Sequence, residues 1–568
     1  MQTVNVDVAI IGGGPAGSTV GTFLQKYGKD LNVLILEREI FPRDHVGESQ
    51  LPEISKILDE MGCWDKVEAA NFPIKVGATY KWGRTKELWD FDFMPVPFIK
   101  NEPRPAKFEG QRKHLAFQVD RSIYDKILLD HAKEMGCDVR ENTRVTKIQT
   151  NGDRVEGLEL ESGEIVTARY YLDCSGHSGT LRRAMGVQTH SPTALQNIAI
   201  WEYWRNADWA EEIGIEGTRI QVMSVGYGWI WFIPLGPDRT SIGLVIPAEY
   251  YKQSGKKPAE LFAKALEDEP RVKGFMTQAV SEGKTYTTKD WSFLSERQSG
   301  ENWILCGEAC GFADPILSAG LTITHAAARE LAFTILEADR GADIEWLKEV
   351  YGRRQTSRVT NHIRFADYWY TANEQFVDLQ AHTQKIAEAN GLALEPMKAW
   401  AWIAQGGFID EELTAGVGGF ALPLVKELGH YMGEIPTDSP VFSNTVFEFI
   451  DDGAERKEGA VYGQGRVLRR DVLKRGMKFL PIAFPYEFWV TTLRLHHKTP
   501  EIKEVLKAHL LAIPNEQERG NTYHALMSAL EALIIDGWVL ATDDPSLPRF
   551  NQMPLYNTVH WHDEAVKV

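Results

Sequence analysis

A glycine-rich turn near the N-terminus has the spacing of a pyrophosphate-binding site. Residues 6–11 are mostly apolar and predict a buried strand. Gly12 then permits a tight turn, Gly14 lets the backbone approach phosphates, and Gly17 lets the following helix pack on its strand. Ala16 lies in the first turn of that helix, whose positive N-terminal end would face the anion. The pattern therefore predicts binding of a dinucleotide.

A second predicted strand supports this interpretation. Residues 33–36 are all apolar and are followed by Glu37 and Arg38. Glu37 lies about 20 residues beyond the turn, where a carboxylate meets a ribose hydroxyl in a dinucleotide-binding βαβ unit. The alternative is a glycine loop in an ordinary α/β turn, and the combination of strand, helix and acid argues against it.

Composition limits the classes of protein that fit. A chain of 568 residues is long enough for two or three units. Its formal net charge of −17 disfavours nucleic acid and anionic membranes as partners. Five scattered cysteines, without His or Cys at metal-ligand spacing, fit a reducing compartment and predict no metal site. Without a signal segment or a long apolar run, we expect a soluble, cytoplasmic protein.

Several polar residues lie where predicted strands meet loops or helices. Arg43 and Ser49 occupy a turn-rich segment and either bind phosphate or flavin or belong to a solvated loop. Gln118 and Arg121 lie at the junction of a strand and an amphipathic helix. Lys75 lies in a predicted strand and is either a surface lysine or one turned into the interior.

Two signatures further along the chain identify a family. Residues 228–234 match the pattern GWxWxIP at every defined position, namely Gly228, Trp229, Trp231, Ile233 and Pro234. Residues 312–320 match the pattern FxxPxxSxG, namely at Phe312, Pro315, Ser318 and Gly320. An isolated WxW segment would be interpreted as an aromatic core strand, but two signatures in order behind a flavin fingerprint argue against that. From residue 5 to about residue 350, the chain resembles the flavin-dependent halogenases of the FAD-binding aromatic hydroxylase superfamily.

The resemblance implies FAD as cofactor and assigns roles to individual residues. It implies that Lys75 is the catalytic lysine and that Ser318, Ala319 and Gly320 hold the halide, chloride or bromide. Together with the glycine turn, Glu37, Arg43 and Ser49, the residues that it implies for FAD binding are Arg38, Gln118, Arg121, Asp290, Glu308, Pro315 and Gly320. Asp290 is either a residue beside the flavin ring or a salt-bridged surface acid. Glu308 replaces the aspartate usual in the superfamily.

The resemblance also implies a reaction and a substrate class. Reduced FAD and O2 would oxidise halide to hypohalous acid, which Lys75 would direct to the aromatic carbon. With only one dinucleotide fingerprint in the sequence, we expect a separate flavin reductase to supply reduced FAD. Leu317 stands where tryptophan halogenases carry a glutamate, so the chain is more similar to the phenol-type and carrier-linked halogenases. The alternatives are a single-component flavin monooxygenase or a prenyl-reductase-like flavoprotein of the same fold.

The implied fold is α/β, with a doubly wound FAD-binding βαβ domain and an inserted substrate-side sheet from about residues 75–115 and 190–300. We expect this core to span residues 1–350, followed by a helical lobe over the substrate site at 351–500 and a winged-helix-like unit at 501–568. Arg466, Arg469, Arg470, Lys474 and Arg475 form a basic cluster, which is either a solvated helix face or a dock for an acidic carrier protein.

Overall fold

The computed structural model describes residues 2–99, 101–209, 215–389, 439–476, 478–551 and 559–561. These residues form two compact units. The first contains the described residues of Met1–Asn390, Tyr462–Arg466 and Thr558–Val568, and the second those of Gly391–Val461 and Val467–Asn557. The boundaries at residues 350 and 500 stay predictions. Among the described residues, no helix has both the length and the apolar character needed to span a bilayer.

The strands begin, in chain order, with β1 Thr3–Ile11, β2 Val33–Leu36, β3 Ile74–Lys81, β4 Trp89–Asp92, β5 Ala116–Phe117, β6 Asp138–Arg140, β7 Val145–Asn151, β8 Arg154–Leu160 and β9 Ile165–Asp173. They continue with β10 Thr189–His190, β11 Gln196–Arg205, β12 Gly217–Val225, β13 Gly228–Pro234, β14 Arg239–Pro247, β15 Val280–Ser281, β16 Tyr286–Trp291, β17 Phe293–Ser295, β18 Trp303–Leu305 and β19 Gly311–Phe312. The last strands are β20 Val446–Phe449, β21 Glu455–Gly463, β22 Arg466–Arg475, β23 Lys478–Pro481, β24 Val539–Thr542 and β25 Val559–Trp561.

The helices begin with α1 Pro15–Tyr27, α2 Pro52–Met61, α3 Trp64–Ala69, α4 Arg121–Met135, α5 Thr180–Ala184, α6 Ala248–Ser254, α7 Pro258–Asp268 and α8 Pro270–Phe275. They continue with α9 Gly320–Asp339, α10 Ile344–Thr371, α11 Gln380–Ala389, α12 Pro440–Ser443, α13 Tyr486–Leu493, α14 Thr499–Leu511 and α15 Glu516–Ile535.

The first sheet contains the βαβ unit predicted at the N-terminus. Its strand order is β6-β2-β1-β9-β8-β7, and β18 pairs with the end of β9. β1 pairs in parallel with both β2 and β9, whereas β7 and β8 form an antiparallel hairpin. α1 connects β1 to β2 and packs against α4 and α9. The carboxyl ends of β1, β2 and β9 therefore meet at one edge, which is where such folds bind their ligands.

The second sheet has the order β15-β11-β14-β13-β12-β3-β4-β25, with β16 beside β11 and β5 beside β3. Both faces of β13 are buried, so its sequence is apolar throughout. One face contributes Ile230 and Phe232 to a core that includes Phe262 and Phe275. Trp229 and Trp231 alternate with these residues and lie on the opposite face.

The second unit contains strands as well as helices. The sequence predicts a helical lobe as far as residue 500, but β20–β23 occupy residues 446–481, so this prediction is wrong there. The basic segment of residues 466–475 is strand β22 and not a helix face, because pairing with β21 and β23 buries Val467, Val472 and Leu473. The longest described helices of this unit are α14 and α15.

Candidate active site

The glycine turn at the end of β1 has no space for side chains at two of its three glycines. Gly12 has a φ of +106°, and a Cβ there would lie 2.4 Å from the carbonyl oxygen of Cys174. A Cβ on Gly17 would lie 1.9 Å from the carbonyl oxygen of Gly12. A Cβ on Gly14 would meet only the Arg43 guanidinium, at 3.4 Å. The first two glycines thus permit the turn, and Gly14 leaves its backbone open to a ligand.

Glu37 fixes this turn. Its Oε2 accepts a 2.7 Å hydrogen bond from the N–H of Gly13, and its Oε1 accepts a 2.8 Å bond from the N–H of Glu39. Each oxygen keeps a second lone pair, and the carboxylate borders the cavity described next. The predicted contact with a ribose hydroxyl is therefore compatible with the bonds that Glu37 already accepts.

A cavity of about 780 Å³ extends along this edge of the first sheet and the inner face of the second. The predicted site residues that line it are Gly12, Gly14, Ala16, Glu37, Arg38, Arg43, Ser49, Arg121, Trp229, Trp231, Ile233, Glu308, Pro315, Ser318 and Gly320. Its volume is within the usual range for cofactor sites. The Ser49 hydroxyl is buried and accepts or donates no hydrogen bond among the described residues. An open glycine backbone and an unsatisfied hydroxyl on one cavity fit a flavin dinucleotide.

Some predicted residues lie off the cavity lining. Gly17 packs inside the turn, and Pro234 ends β13. Gln118 is buried beside Ser49 in an isolated bridge, and neither polar atom of its side chain has a partner among the described residues. Asp290 belongs to β16, but its side chain lies outside the described part of the chain. Its relation to the flavin ring therefore stays a prediction.

The charged groups beside the cavity form a closed network. Arg121 Nε donates to Asp125 Oδ1 at 2.7 Å, and Arg43 Nη1 donates to Asp125 Oδ2 at 3.0 Å. Arg121 also donates to the carbonyl oxygens of Val46 and Gly47. Burial acts to raise the pKa of Asp125, but Arg121 and Arg43 overcome that effect and hold the pKa below its usual value. The network fixes the loop that carries Ser49.

Glu48 is a cavity residue that sequence reasoning missed. Its carboxyl is buried, its Oε1 accepts a 2.9 Å bond from the Tyr203 hydroxyl, and its Oε2 accepts a 3.0 Å bond from the N–H of Gly47. Burial raises the pKa of Glu48 to about 7. The only sequence signal was an acid between Gly47 and Ser49 in a turn-rich segment.

Lys75 is buried on β3, with 2% of its surface exposed. β3 and β12 are irregularly paired here: Lys75 lies beside Thr218 and Gly77 beside Arg219, so Val76 is an extra residue. Thr218 shares its face of β12 with Ile220, which lines the cavity. The irregularity therefore places Lys75 on the cavity face, although Lys75 is not itself a lining residue.

Among the described residues, the Lys75 amine has no counter-ion. Its Nζ lies 5.4 Å from the centre of the Phe93 ring, and it makes no hydrogen bond or ion pair with any residue that the structure describes. Burial lowers the pKa of Lys75 to about 7. The interior alternative for this lysine is confirmed, and its catalytic role stays a prediction.

The second signature forms a tight loop before a long helix. Residues Pro315–Leu317 make a 3-10 turn, and Ser318 follows with a φ of +54°. Ala319 then precedes α9, whose first residue is Gly320. Ala319 borders a small neighbouring cavity, whereas Ser318 and Gly320 line the large one. The start of a 20-residue helix favours an anion, which suits the predicted halide.

A cluster of buried aromatic side chains packs against Trp229, which lines the cavity. Trp229 and Trp82 are in edge-to-face contact at 6.4 Å, and Trp82 packs on Trp369 of α10. Phe365, Tyr368 and Trp369 are buried, as expected for a core face of α10, and Phe376 is buried after that helix has ended. The described residues contain no cluster of His, Cys, Asp or Glu suited to a metal, and all five cysteines are free and buried.

Comparison with known proteins agrees with this geometry. The sequence profile described as tryptophan halogenase matches residues 7–103 and 98–378. The chain is 32% identical over 357 residues to a tryptophan 2-halogenase of Chondromyces crocatus, covering 61% of this chain and 64% of that protein, which is just under two thirds. It is 29% identical over 357 residues to a 1H-pyrrole-2-carbonyl-[peptidyl-carrier protein] chlorinase of Pseudomonas fluorescens, covering 60% of this chain and 78% of that protein.

Solved structures of flavin-dependent halogenases have the same fold. CmlS aligns with a TM-score of 0.70 and 26% identity, covering 98% of this chain and all of that one. The myxobacterial chondrochloren halogenase CndH aligns with a TM-score of 0.61 and 28% identity, covering 75% of this chain and 96% of that one. The mixed α/β fold, the two signatures and the family profile all agree. The chain therefore belongs to the tryptophan halogenase family.

Proposed function

We propose that this protein chlorinates or brominates an electron-rich aromatic ring, using reduced FAD and O2, in the biosynthesis of a secondary metabolite. One observation carries the proposal: a single cavity is bordered by the glycine turn, by Trp229 and Trp231, and by Ser318 and Gly320. This arrangement provides a dinucleotide cradle and an anion-favouring loop in one cavity.

The backbone of the glycine turn, Ser49 and Arg121 would hold FAD in this cavity. When bound and reduced, FAD supplies the oxidation in which halide, O2, a proton and two flavin hydrogens give hypohalous acid, water and oxidised FAD. The residues of the chain must in addition bind halide and keep water away. Ser318 and the start of α9 serve the first purpose, and the buried tryptophans serve the second.

Lys75 directs the hypohalous acid to the substrate. With a pKa of about 7, both of its forms are available near neutral pH. The ammonium form donates a hydrogen bond to the oxygen of hypohalous acid. The neutral amine instead takes the halogen and releases water, and the aromatic carbon then takes the halogen, loses its proton and returns the amine. Either form leaves the halogen on the ring and the lysine unchanged.

A pyrrole or phenol is the substrate class that the chain favours, free or tethered to a carrier protein. Leu317 is buried and has no carboxylate to stabilise charge on a ring under attack, so the ring must be activated by its own heteroatom. Relatives named as a pyrrolyl-carrier chlorinase and a pyrrolyl-carrier brominase support this choice. Indole C2 is a second candidate, because it belongs to a pyrrole ring and one relative is named tryptophan 2-halogenase.

A separate flavin reductase would supply reduced FAD, since one dinucleotide cradle is used by FAD itself. Free, buried cysteines support a reducing compartment such as the cytoplasm.

The region after residue 500 would form a winged-helix-like unit, and the helices α14 and α15 support this proposal.

The test is product analysis by mass spectrometry. Purified protein, FAD, NADH and a flavin reductase are incubated with chloride or bromide and with a pyrrolyl carrier protein, simple phenols or free tryptophan. We expect halogenated pyrrole or phenol only when the reductase is present. Rapid NAD(P)H oxidation by the protein alone, with a hydroxylated product, would instead establish the single-component monooxygenase.

A further inference from the structure

A buried chain of hydrogen bonds joins the two family signatures. Trp229 Nε1 donates to the Tyr370 hydroxyl at 2.8 Å, and that hydroxyl donates to Asp314 Oδ1 at 3.1 Å. Asn197 Nδ2 donates to Asp314 Oδ2 at 3.2 Å. All four side chains are buried. The chain thus runs from the aromatic strand β13, through helix α10, to the loop that precedes α9.

Asp314 transmits this contact to the loop backbone. Its Oδ1 also accepts a 2.9 Å hydrogen bond from the N–H of Ile316, which holds the 3-10 turn. That turn ends at Ser318, whose N–H donates to the carbonyl oxygen of Pro315 at 2.9 Å. A residue in the left-handed region is strained unless its neighbours hold it there. The position of Asp314 therefore determines how Ser318 and Gly320 are presented to the cavity.

The Asp314 carboxyl is buried and forms no ion pair within the part of the chain that the structure describes. Burial raises the pKa of Asp314 to about 7. Three neutral donors therefore stabilise it, namely the N–H of Ile316, the Tyr370 hydroxyl and the Asn197 amide. When a buried acceptor of this kind loses a donor, the folded protein bears the full free-energy cost of desolvating that acceptor. The geometry of the loop is accordingly sensitive to the Tyr370 hydroxyl.

We propose that Trp229, Tyr370 and Asp314 act together as positioning residues that set the halide affinity of the Ser318–Gly320 loop. The inference rests on the proposed function, because it takes this loop as the halide site. It gives the tryptophan of the GWxWxIP signature a specific role, since Trp229 orients the Tyr370 hydroxyl toward Asp314. None of the three residues needs to touch the halide or the aromatic ring.

The main test removes one hydroxyl. Tyr370→Phe keeps the ring and loses the hydrogen bonds of the hydroxyl with Trp229, Asn197 and Asp314. Tyr227→Phe is the control, because the hydroxyl of the buried Tyr227 also donates to an aspartate, Asp268, at 2.7 Å. Chloride and bromide are titrated into the FAD-loaded proteins while the flavin absorbance is followed, and the halide KM is measured in parallel.

We expect Tyr370→Phe to weaken halide binding and to raise the halide KM about tenfold, with FAD affinity matching that of Tyr227→Phe. Halide affinity within twofold of wild type in Tyr370→Phe would overturn the proposal. Because Asp314→Asn keeps an oxygen for the N–H of Ile316, it should weaken halide binding less than Asp314→Ala does. The reverse order would also overturn the proposal.

The two levels of inference fail in different ways. If the wild-type protein gives no halogenated product and its flavin spectrum does not respond to halide, both the proposed function and this inference are wrong. If the wild type responds to halide and Tyr370→Phe responds equally well, only the positioning role is overturned.

Discussion

Two groups of buried charges in the first unit are built in opposite ways. Beside the end of the cavity formed by the glycine turn, Asp125 accepts hydrogen bonds from both Arg121 and Arg43. On the second sheet and the loop before α9, Lys75 and Asp314 have no ion-pair partner among the described residues. Paired buried charges fix the local geometry. An unpaired buried charge lowers stability, and such groups with a shifted pKa are common at functional sites.

Lys75 gives the most direct test of the contrast between paired and unpaired buried charges. Lys75→Ala should lower halogenated product per reduced FAD oxidised by about a thousandfold, equivalent to about 4 kcal/mol, while FAD binding and oxidation by O2 stay nearly unchanged. The reason is that an amine is needed to direct hypohalous acid and is not needed to form it. Mass spectrometry of the product, with a dye that traps hypohalite, measures both outcomes.

A second variant at the same position sharpens this first prediction. Lys75→Arg should be almost as poor as Lys75→Ala, because a guanidinium keeps its charge and cannot lose a proton to accept halogen. Wild-type coupling in Lys75→Ala would show that Lys75 is a structural residue only, and Lys81 would then be the next candidate on β3.

The paired group should respond to mutation through stability. Asp125→Ala leaves the buried Arg121 guanidinium without its carboxylate and should lower the free energy of unfolding by about 3 kcal/mol. Asp130→Ala is the control, because Asp130 pairs with Lys126 in the same helix, α4, but is half exposed, so the loss should be below about 1 kcal/mol. Denaturation in urea at pH 7 measures both, and equal losses would contradict the distinction between paired core and surface charges.

We also expect FAD binding to depend on the open backbone at the glycine turn. Gly14→Val directs a branched side chain into the cavity and should weaken FAD binding about thirtyfold, or about 2 kcal/mol. The fold should persist, because a Cβ at Gly14 meets only the end of the flexible Arg43 side chain. Gly520→Val is the control, since Gly520 has nothing within 4 Å. Equal FAD affinity in Gly14→Val and wild type, by flavin fluorescence, would exclude the turn as the pyrophosphate cradle.

Local patterns were readable from the sequence, and long-range contacts were not. The glycine turn, Glu37 and α1 follow from spacing within one βαβ unit. In contrast, Trp229 and Tyr370 are 141 residues apart, and no spacing rule could show that they share a hydrogen bond with each other. Glu48 was missed for the same reason, because its significance depends on burial by Tyr203.

The basic segment was misread for a different reason. In β22 the buried residues Val467, Val472 and Leu473 fit neither a strict period of two nor a helical period. Local sequence therefore left the choice open, and pairing with β21 and β23 decided it. Tertiary contacts commonly override weak local patterns in this way.

The smallest predicted effect concerns the stability penalty of keeping Lys75 unpaired. Its folded pKa of about 7 lies below the value of about 10.4 for an unfolded lysine. The unfolded chain thus binds more protons between these two values, so the penalty is complete below pH 7 and disappears as the pH rises toward 10.4. Lys75→Met should raise the free energy of unfolding by about 1–2 kcal/mol at pH 6–7, and the gain should shrink toward pH 10.

Lys81 provides the matched opposite on the same strand. Its amine pairs with Glu269, whose side chain is 3% exposed. Lys81→Met removes the counter-ion of this buried carboxylate and should therefore destabilise the protein at neutral pH. Urea denaturation of both variants and wild type at pH 6, 7, 8 and 9 gives the comparison directly. If Lys75→Met is less stable than wild type at pH 7, the amine has a stabilising partner, and the contrast between the paired and unpaired regions does not hold at β3.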